Sequence, residues 1–171
     1  MRRVSLAGAV HMHHLLRSTL SLAAVSALVC CALAAPPALA DTRPLHLGSP
    51  AAQFTSFTCL NPSCSLGEAT LVGTATSNLA TGLGSLQATL IVDSSPGGTC
   101  NIVDESSAFI FDQGTILVHS HHEDCATHSL RIDTTFQVTG GTGAFQGATG
   151  SGREFSAAAS PAVIFNGTIS F

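Results

Sequence analysis

At 171 residues, with a formal net charge of −4 and only 9% charged side chains, the chain is short, weakly charged and mildly acidic. All its basic residues are arginines, and it has no tryptophan or tyrosine. It lacks the concentrated positive surface that phosphate backbones require, so nucleic acid makes a poor partner.

The first forty residues read as a cleaved signal peptide. Arg2, Arg3 and Arg17 give a basic start, an apolar run follows from Leu20 to Ala35, and Ala38-Leu39-Ala40 is an A-x-A cleavage signal ahead of Asp41. Met12 offers an alternative start. The apolar run falls short of the ~20 residues of a membrane span, so a secreted protein with no membrane anchor in its mature form is expected. Residues 41–52 (DTRPLHLGSPAA) carry two prolines and no periodicity and read as a flexible leader. Residues 53–171 form a single β domain. Strand-like runs fall near 53–59, 67–77, 84–93, 101–111, 115–125, 128–139, 150–158 and 162–171, separated by Gly, Ser and Pro clusters. About eight antiparallel strands joined mostly by short turns predict an eight-stranded antiparallel β-barrel, with a β-sandwich as the alternative.

Four cysteines lie beyond the leader. Cys59 and Cys64 flank the turn dipeptide Asn61-Pro62, and Cys100 and Cys125 are nearly equidistant from the turn of AFIF-DQG-TILV. A hairpin register pairing Phe109 with Ile116 sets Cys100 opposite Cys125, within bridging distance. Two disulfides, Cys59–Cys64 and Cys100–Cys125, suit an exported chain, and a zinc–thiolate site is disfavoured in that compartment.

The densest polar run is VHSHHEDCATH, Val118 to His128. On a strand His119, His121 and Glu123 share a face, and the hairpin register places Asp104 opposite His121. Such a set has the donors for Zn²⁺ or another first-row metal, or for acid–base chemistry. The simpler reading is a solvated strand end protruding beyond the barrel wall, because His122 and Asp124 make the other face polar too. No cofactor is required, zinc being the one open option. Asp104 and Glu105 point to opposite faces, so at most one enters a cavity. A carboxyl inside an apolar interior would have a raised pKa and would serve as base or proton donor. A solvent-facing pair near a bulge is the simpler expectation.

The stretch Gly140–Gly152, GGTGAFQGATGSG, follows a strand as a phosphate-binding loop would. Gln146 breaks the dinucleotide fingerprint, no lysine follows, and no helix opens. It reads as a barrel turn in which Gly140 and Gly141 take positive φ, Gly147 allows close packing, and Phe145 plugs inward. The pattern F-x-V-x-GGTG-x-F-x-x-A-x-G, Phe136 to Gly150, resembles the signature of the allene oxide cyclase and dirigent barrel superfamily. The closing GTISF (Gly167–Phe171) and FDQGTILV (Phe111–Val118) resemble its small secreted bacterial members. The resemblance spans residues 53–171 and implies an eight-stranded barrel with a central cavity, and association of copies through sheet faces. In that group one branch cyclises an unstable fatty-acid epoxide and another steers phenoxy-radical coupling.

Three functions are compatible with these features. The first is a binder of a small hydrophobic ligand, with Phe109, Phe111, Phe136, Phe145 and Phe155 lining an apolar pocket. The second is a filled barrel acting as an extracellular structural or interaction module. The third is a cyclase- or isomerase-like protein steering a reactive apolar substrate. No motif requires catalysis, so a non-enzymatic binder is the leading expectation.

Overall fold

The computed structural model describes residues 41–171 apart from 95–98, 126–131 and 157–161; the expected signal peptide lies outside the described residues. Nine strands follow in order: β1 (Thr42–Ser49), β2 (Ala52–Cys59), β3 (Leu66–Ser77), β4 (Gly84–Ser94), β5 (Cys100–Phe111), β6 (Gly114–Cys125), β7 (Ile132–Gly141), β8 (Thr149–Ser156) and β9 (Val163–Ser170). A single 3-10 turn, Gly143–Phe145, links β7 to β8. All neighbouring strands pair antiparallel, in the order β1-β9-β8-β7-β6-β5-β4-β3-β2. Pairing of β1 with β3 through Leu47↔Ser77 and Gly48↔Thr76 closes the sheet. The result is a closed eight-stranded antiparallel β-barrel with one additional strand, β2.

The eight strands that close the ring are not the eight expected. Residues 42–49 belong to the wall and are no flexible leader. Leu45, Leu47 and Ser49 alternate into the core with His46 and Gly48 outside them, the period-2 signature of a half-buried strand. Pro44 is tolerated because its carbonyl, not its missing N–H, is used on the edge facing β3, where Asn78 Nδ2 donates to it at 2.9 Å. The chain turns at Pro50-Ala51 and continues along β3 as β2, with a bulge between Phe54 and Ser56. Beyond Ala52 every β2 residue is exposed, so this strand stands off the wall.

The β5–β6 hairpin has the predicted register: Phe109 opposite Ile116, Asp104 opposite His121, and Cys100 opposite Cys125. Both disulfides, Cys59–Cys64 and Cys100–Cys125, are formed. They sit at one end of the barrel, and such bonds persist in oxidising compartments, which fits an extracellular protein. No helix among the described residues is long and apolar enough to cross a membrane.

Aromatic packing fills the other end. Phe165 receives Phe109 and Phe136 edge-on, each at 5.3 Å between ring centroids. Phe145, swung in by the 3-10 turn, meets Phe171 at 5.4 Å, and the Arg43 guanidinium caps Phe171 at 5.3 Å. These edge-to-face contacts add stability beyond the area they bury. In the glycine-rich turn, left-handed backbone falls at Gly143 (φ 60°) and Gly147 (φ 77°). Gly141 serves a different purpose from the one expected: a side chain there would collide with the backbone of Phe145 and Thr115.

Candidate functional site

Strand alternation sends one set of residues from each strand into the barrel. On β5 the inward set is Val103, Glu105, Ser107, Phe109 and Phe111; on β6 it is Ile116, Val118, Ser120 and His122. On β8 it includes Glu154, which is 1% exposed. Register then groups the polar members. Glu105 lies opposite Ser120 and Val103 opposite His122, while Glu154 is flanked by Thr134 on β7 and Phe165 on β9. A largely apolar interior therefore holds two carboxyl groups, two hydroxyls and an imidazole on these strands, with the buried Ser49 of β1 besides. Glu105 is 9% exposed, His122 8% and Ser120 2%.

The electrostatics follow from this placement. Burial pushes the Glu154 carboxyl up to about 8; repulsion from Glu105 adds to the rise, and the nearby Ser120 hydroxyl works against it. The Glu105 carboxyl is also raised, first by burial, with offsets from the Ser107 hydrogen bond and from His119. Ser107 Oγ donates to Glu105 Oε1 at 2.5 Å, which favours the ionised form of that carboxyl. His122 is held below its ordinary value by burial; Asp124 opposes the shift and His121 reinforces it. Near neutral pH the interior therefore holds a protonated Glu154 and a neutral His122. Two carboxylates this deeply buried do not both ionise freely.

Three atoms in this cluster have no well-formed hydrogen bond among the described residues: Ser120 Oγ, His122 Nδ1 and Glu154 Oε2. A buried polar atom left without a partner costs roughly 1–3 kcal/mol; His122 Nδ1 is such an atom, while the Ser120 hydroxyl lies toward the Glu154 carboxyl.

The structure re-sorts the residues singled out from the sequence. Phe109, Phe111, Phe136 and Phe145 are buried in the core. Phe155 is not among them. It pairs with the exposed Ile164 while its neighbour Glu154 pairs with the buried Phe165, so on β8 the carboxylate faces in and the ring faces out. His122 also faces in, so the polar run on β6 is not a protruding strand end at that residue. Glu105 is likewise no solvent-facing group. On the outer face Asp104 stands between two imidazoles, 3.7 Å from His119 Nδ1 and 3.5 Å from His121 Nδ1. Glu123 does not join them. Its carboxylate lies with the Cys100 and Cys125 sulfurs, within 4.8 Å, and those sulfurs are committed to a disulfide and cannot ligate.

By architecture the chain is a closed, disulfide-stapled antiparallel β-barrel with a polar cluster set into an aromatic interior. One solved structure of similar outline is that of a pyocyanin demethylase, with a TM-score of 0.46 and 14% identity over 75% of this chain and 99% of that chain. No protein-family model and no curated protein matches the sequence.

Proposed function

We propose that the protein is an exported barrel that binds a small, largely apolar molecule carrying a hydrogen-bonding oxygen. The observation that carries this reading is the buried polar set Glu105, Ser120, His122 and Glu154, with His122 Nδ1 left without a partner, in an interior built mainly of phenylalanine and aliphatic side chains. An apolar ligand body suits the aromatic surroundings, and one carbonyl or hydroxyl oxygen suits the polar wall. A protonated Glu154 is a donor, so an uncharged acceptor fits and an anion does not. The motif from Phe136 to Gly150, with its resemblance to the allene oxide cyclase and dirigent barrels, supports a ligand of this hydrophobic kind. The apolar run and A-x-A signal before Asp41, together with the two disulfides, support secretion.

The test is a titration of the cleaved chain with the neutral ketone dye prodan, whose emission reports both polarity and hydrogen bonding. Saturable binding with a hydrogen-bonded emission signature is expected, weakened at least about tenfold by Glu154→Ala, the value of one charge-free hydrogen bond lost from a dry site. Fluorescence that rises linearly with dye, in wild type and variant alike, removes the reading.

A further inference from the structure

The outer face of the β5–β6 hairpin carries a second set of donors, on the opposite side of the wall from Glu105 and His122. Strand alternation turns Asp104, His119 and His121 outward. The register sets Asp104 directly opposite His121 and, two residues on, Ser106 opposite His119. Asp104 is therefore flanked by one imidazole across the ladder and another on the diagonal, the two positions from which side chains of adjacent strands meet. The backbone beneath them is held firmly, because pairing runs unbroken from Phe111–Gly114 to the Cys100–Cys125 disulfide. Within the trio, His119 Nδ1 stands 3.7 Å from one oxygen of Asp104 and His121 Nδ1 3.5 Å from the other. Both separations exceed the roughly 2.7–3.2 Å of a hydrogen bond between nitrogen and oxygen. His46, on the outer surface of β1, shows the contrasting case of a committed imidazole, with Nδ1 2.6 Å from Asn166 Oδ1. The Asp104 separations instead approach the donor–donor edge of a tetrahedral ion, roughly 3.3–3.4 Å for bonds of about 2.0–2.1 Å.

We propose that His119, His121 and Asp104 bind a divalent first-row metal ion of the zinc type on the outer wall of the barrel. Two imidazoles and one carboxylate suit zinc and its neighbours, whereas calcium and magnesium ask for oxygen donors. All three side chains reach solvent, so the rings and the carboxylate turn to close on an ion without disturbing the core. Three protein donors leave one corner of a tetrahedral shell to water, the composition of an open zinc site rather than a closed structural one. Glu123, further along the same face of β6, stays outside the set, beside the sulfurs of the disulfide. The metal site lies on the other side of the wall from the interior binding site, and neither depends on the other.

The experiment is calorimetry with zinc chloride on the cleaved, disulfide-bonded chain, purified without a histidine tag, with magnesium chloride as the oxygen-seeking control. One zinc per chain is expected to bind saturably, and magnesium to give no saturable heat. His119→Ala, His121→Ala and Asp104→Asn are each expected to weaken zinc binding at least about tenfold, the lower end of what even a residue supporting a metal ligand contributes. Glu123→Gln is expected to bind zinc as wild type does. Melting without metal checks that each variant folds, as surface substitutions generally allow; where alanine lowers the melting temperature, His119→Gln and His121→Gln repeat the test. Zinc is expected to raise the melting temperature of wild type and not of the three ligand variants, because only a folded chain with the full donor set gains from the ion. No saturable zinc binding to wild type, or equal binding by wild type and any of the three ligand variants, overturns the site. Magnesium binding as tightly as zinc, or a loss on Glu123→Gln as large as that on Asp104→Asn, overturns it too, the ion then being held by general acidity of the strand end.

Discussion

The two ends of the barrel solve the same problem in opposite ways. At the turn end the interior is filled by interlocking rings: Phe145 on Phe171, with Phe109 and Phe136 on Phe165 a layer deeper. Most inward positions there are filled by packing, although Gln113 Oε1 in the β5–β6 turn is buried without a hydrogen-bond partner. Toward the disulfide end the wall carries Glu105, Ser120, His122 and Glu154, which abut the aromatic layer through the Ser120–Phe136 and Glu154–Phe165 pairs, and strand β2 stands away with Phe54 71% and Phe57 57% exposed. Covalent staples at Cys59–Cys64 and Cys100–Cys125 reinforce that end. One end is built for stability, and the other bears buried polarity that stability alone does not explain. Polar groups without partners are where a fold gives up free energy for something else.

That contrast can be broken most forcefully at the packed end. Phe136→Ala removes a fully buried ring between Phe165 and Gly152 and is expected to cost about 3–5 kcal/mol in urea unfolding. A loss under about 1 kcal/mol would mean that the aromatic end is not the stabilising one. Next in size is the staple. Replacing both Cys100 and Cys125 by alanine opens a 25-residue separation and is expected to cost roughly 2–4 kcal/mol.

The polar end is expected to respond in the opposite direction. An unfolded glutamate ionises near 4.5, whereas Glu154 in the fold holds its proton up to about 8. Across that window the folded state binds more protons than the unfolded one, so its contribution to stability falls as pH rises from 4.5 to 8. Glu154→Gln removes this loss, and the melting temperature at pH 8 should rise by the equivalent of about 1–3 kcal/mol. An unchanged or lower melting temperature at pH 8 would show that Glu154 is well accommodated as an anion. His122 works from the acid side. Its folded pKa lies below 6.5, so it withdraws stability as pH falls through 6.5. The smallest effect belongs to β2: Phe54→Ser, at a residue mostly in solvent, should stay within about 0.5 kcal/mol.

Much of the barrel was legible in the sequence, and the reason is local chemistry. The β5–β6 register followed from a short turn midway between two cysteines, and Phe145 was readable as an inward plug from the glycines around it. The candidate site was half readable. Adjacent Asp104 and Glu105 made it clear that only one carboxylate could enter the barrel, but solvent was the simpler choice for both. Glu154 left a weaker signal. In GREFS the hydrophobic neighbour, Phe155, argued for the opposite parity, and only pairing with β9, through Phe165 and Ile164, decides which side chain faces in. A strand's facing is a long-range property when its own polar and apolar residues are adjacent. The first strand was missed for a related reason. Pro44 and Pro50 suggested a linker, although Leu45-His46-Leu47 already had the alternation of a wall strand.

Asn78, just past the end of β3, has a wider consequence. Its Oδ1 accepts from the His46 N–H at 2.8 Å, its Nδ2 donates to Pro44, and its own N–H reaches the His46 carbonyl at 3.2 Å. A side-chain amide thus carries on the ladder that two backbone pairs begin, and one residue acts as a missing length of strand. The first strand fastens the ring at two seams, a short one to the third strand and a full-length ladder to the last, where Thr42 and Ser170 also meet by their hydroxyls across 128 positions of sequence. Apart from these two seams, the neighbours in the sheet are consecutive strands. The sheet therefore assembles from neighbours, and its curling into a cylinder waits for the most distant contact in the molecule, the slowest kind of step to make.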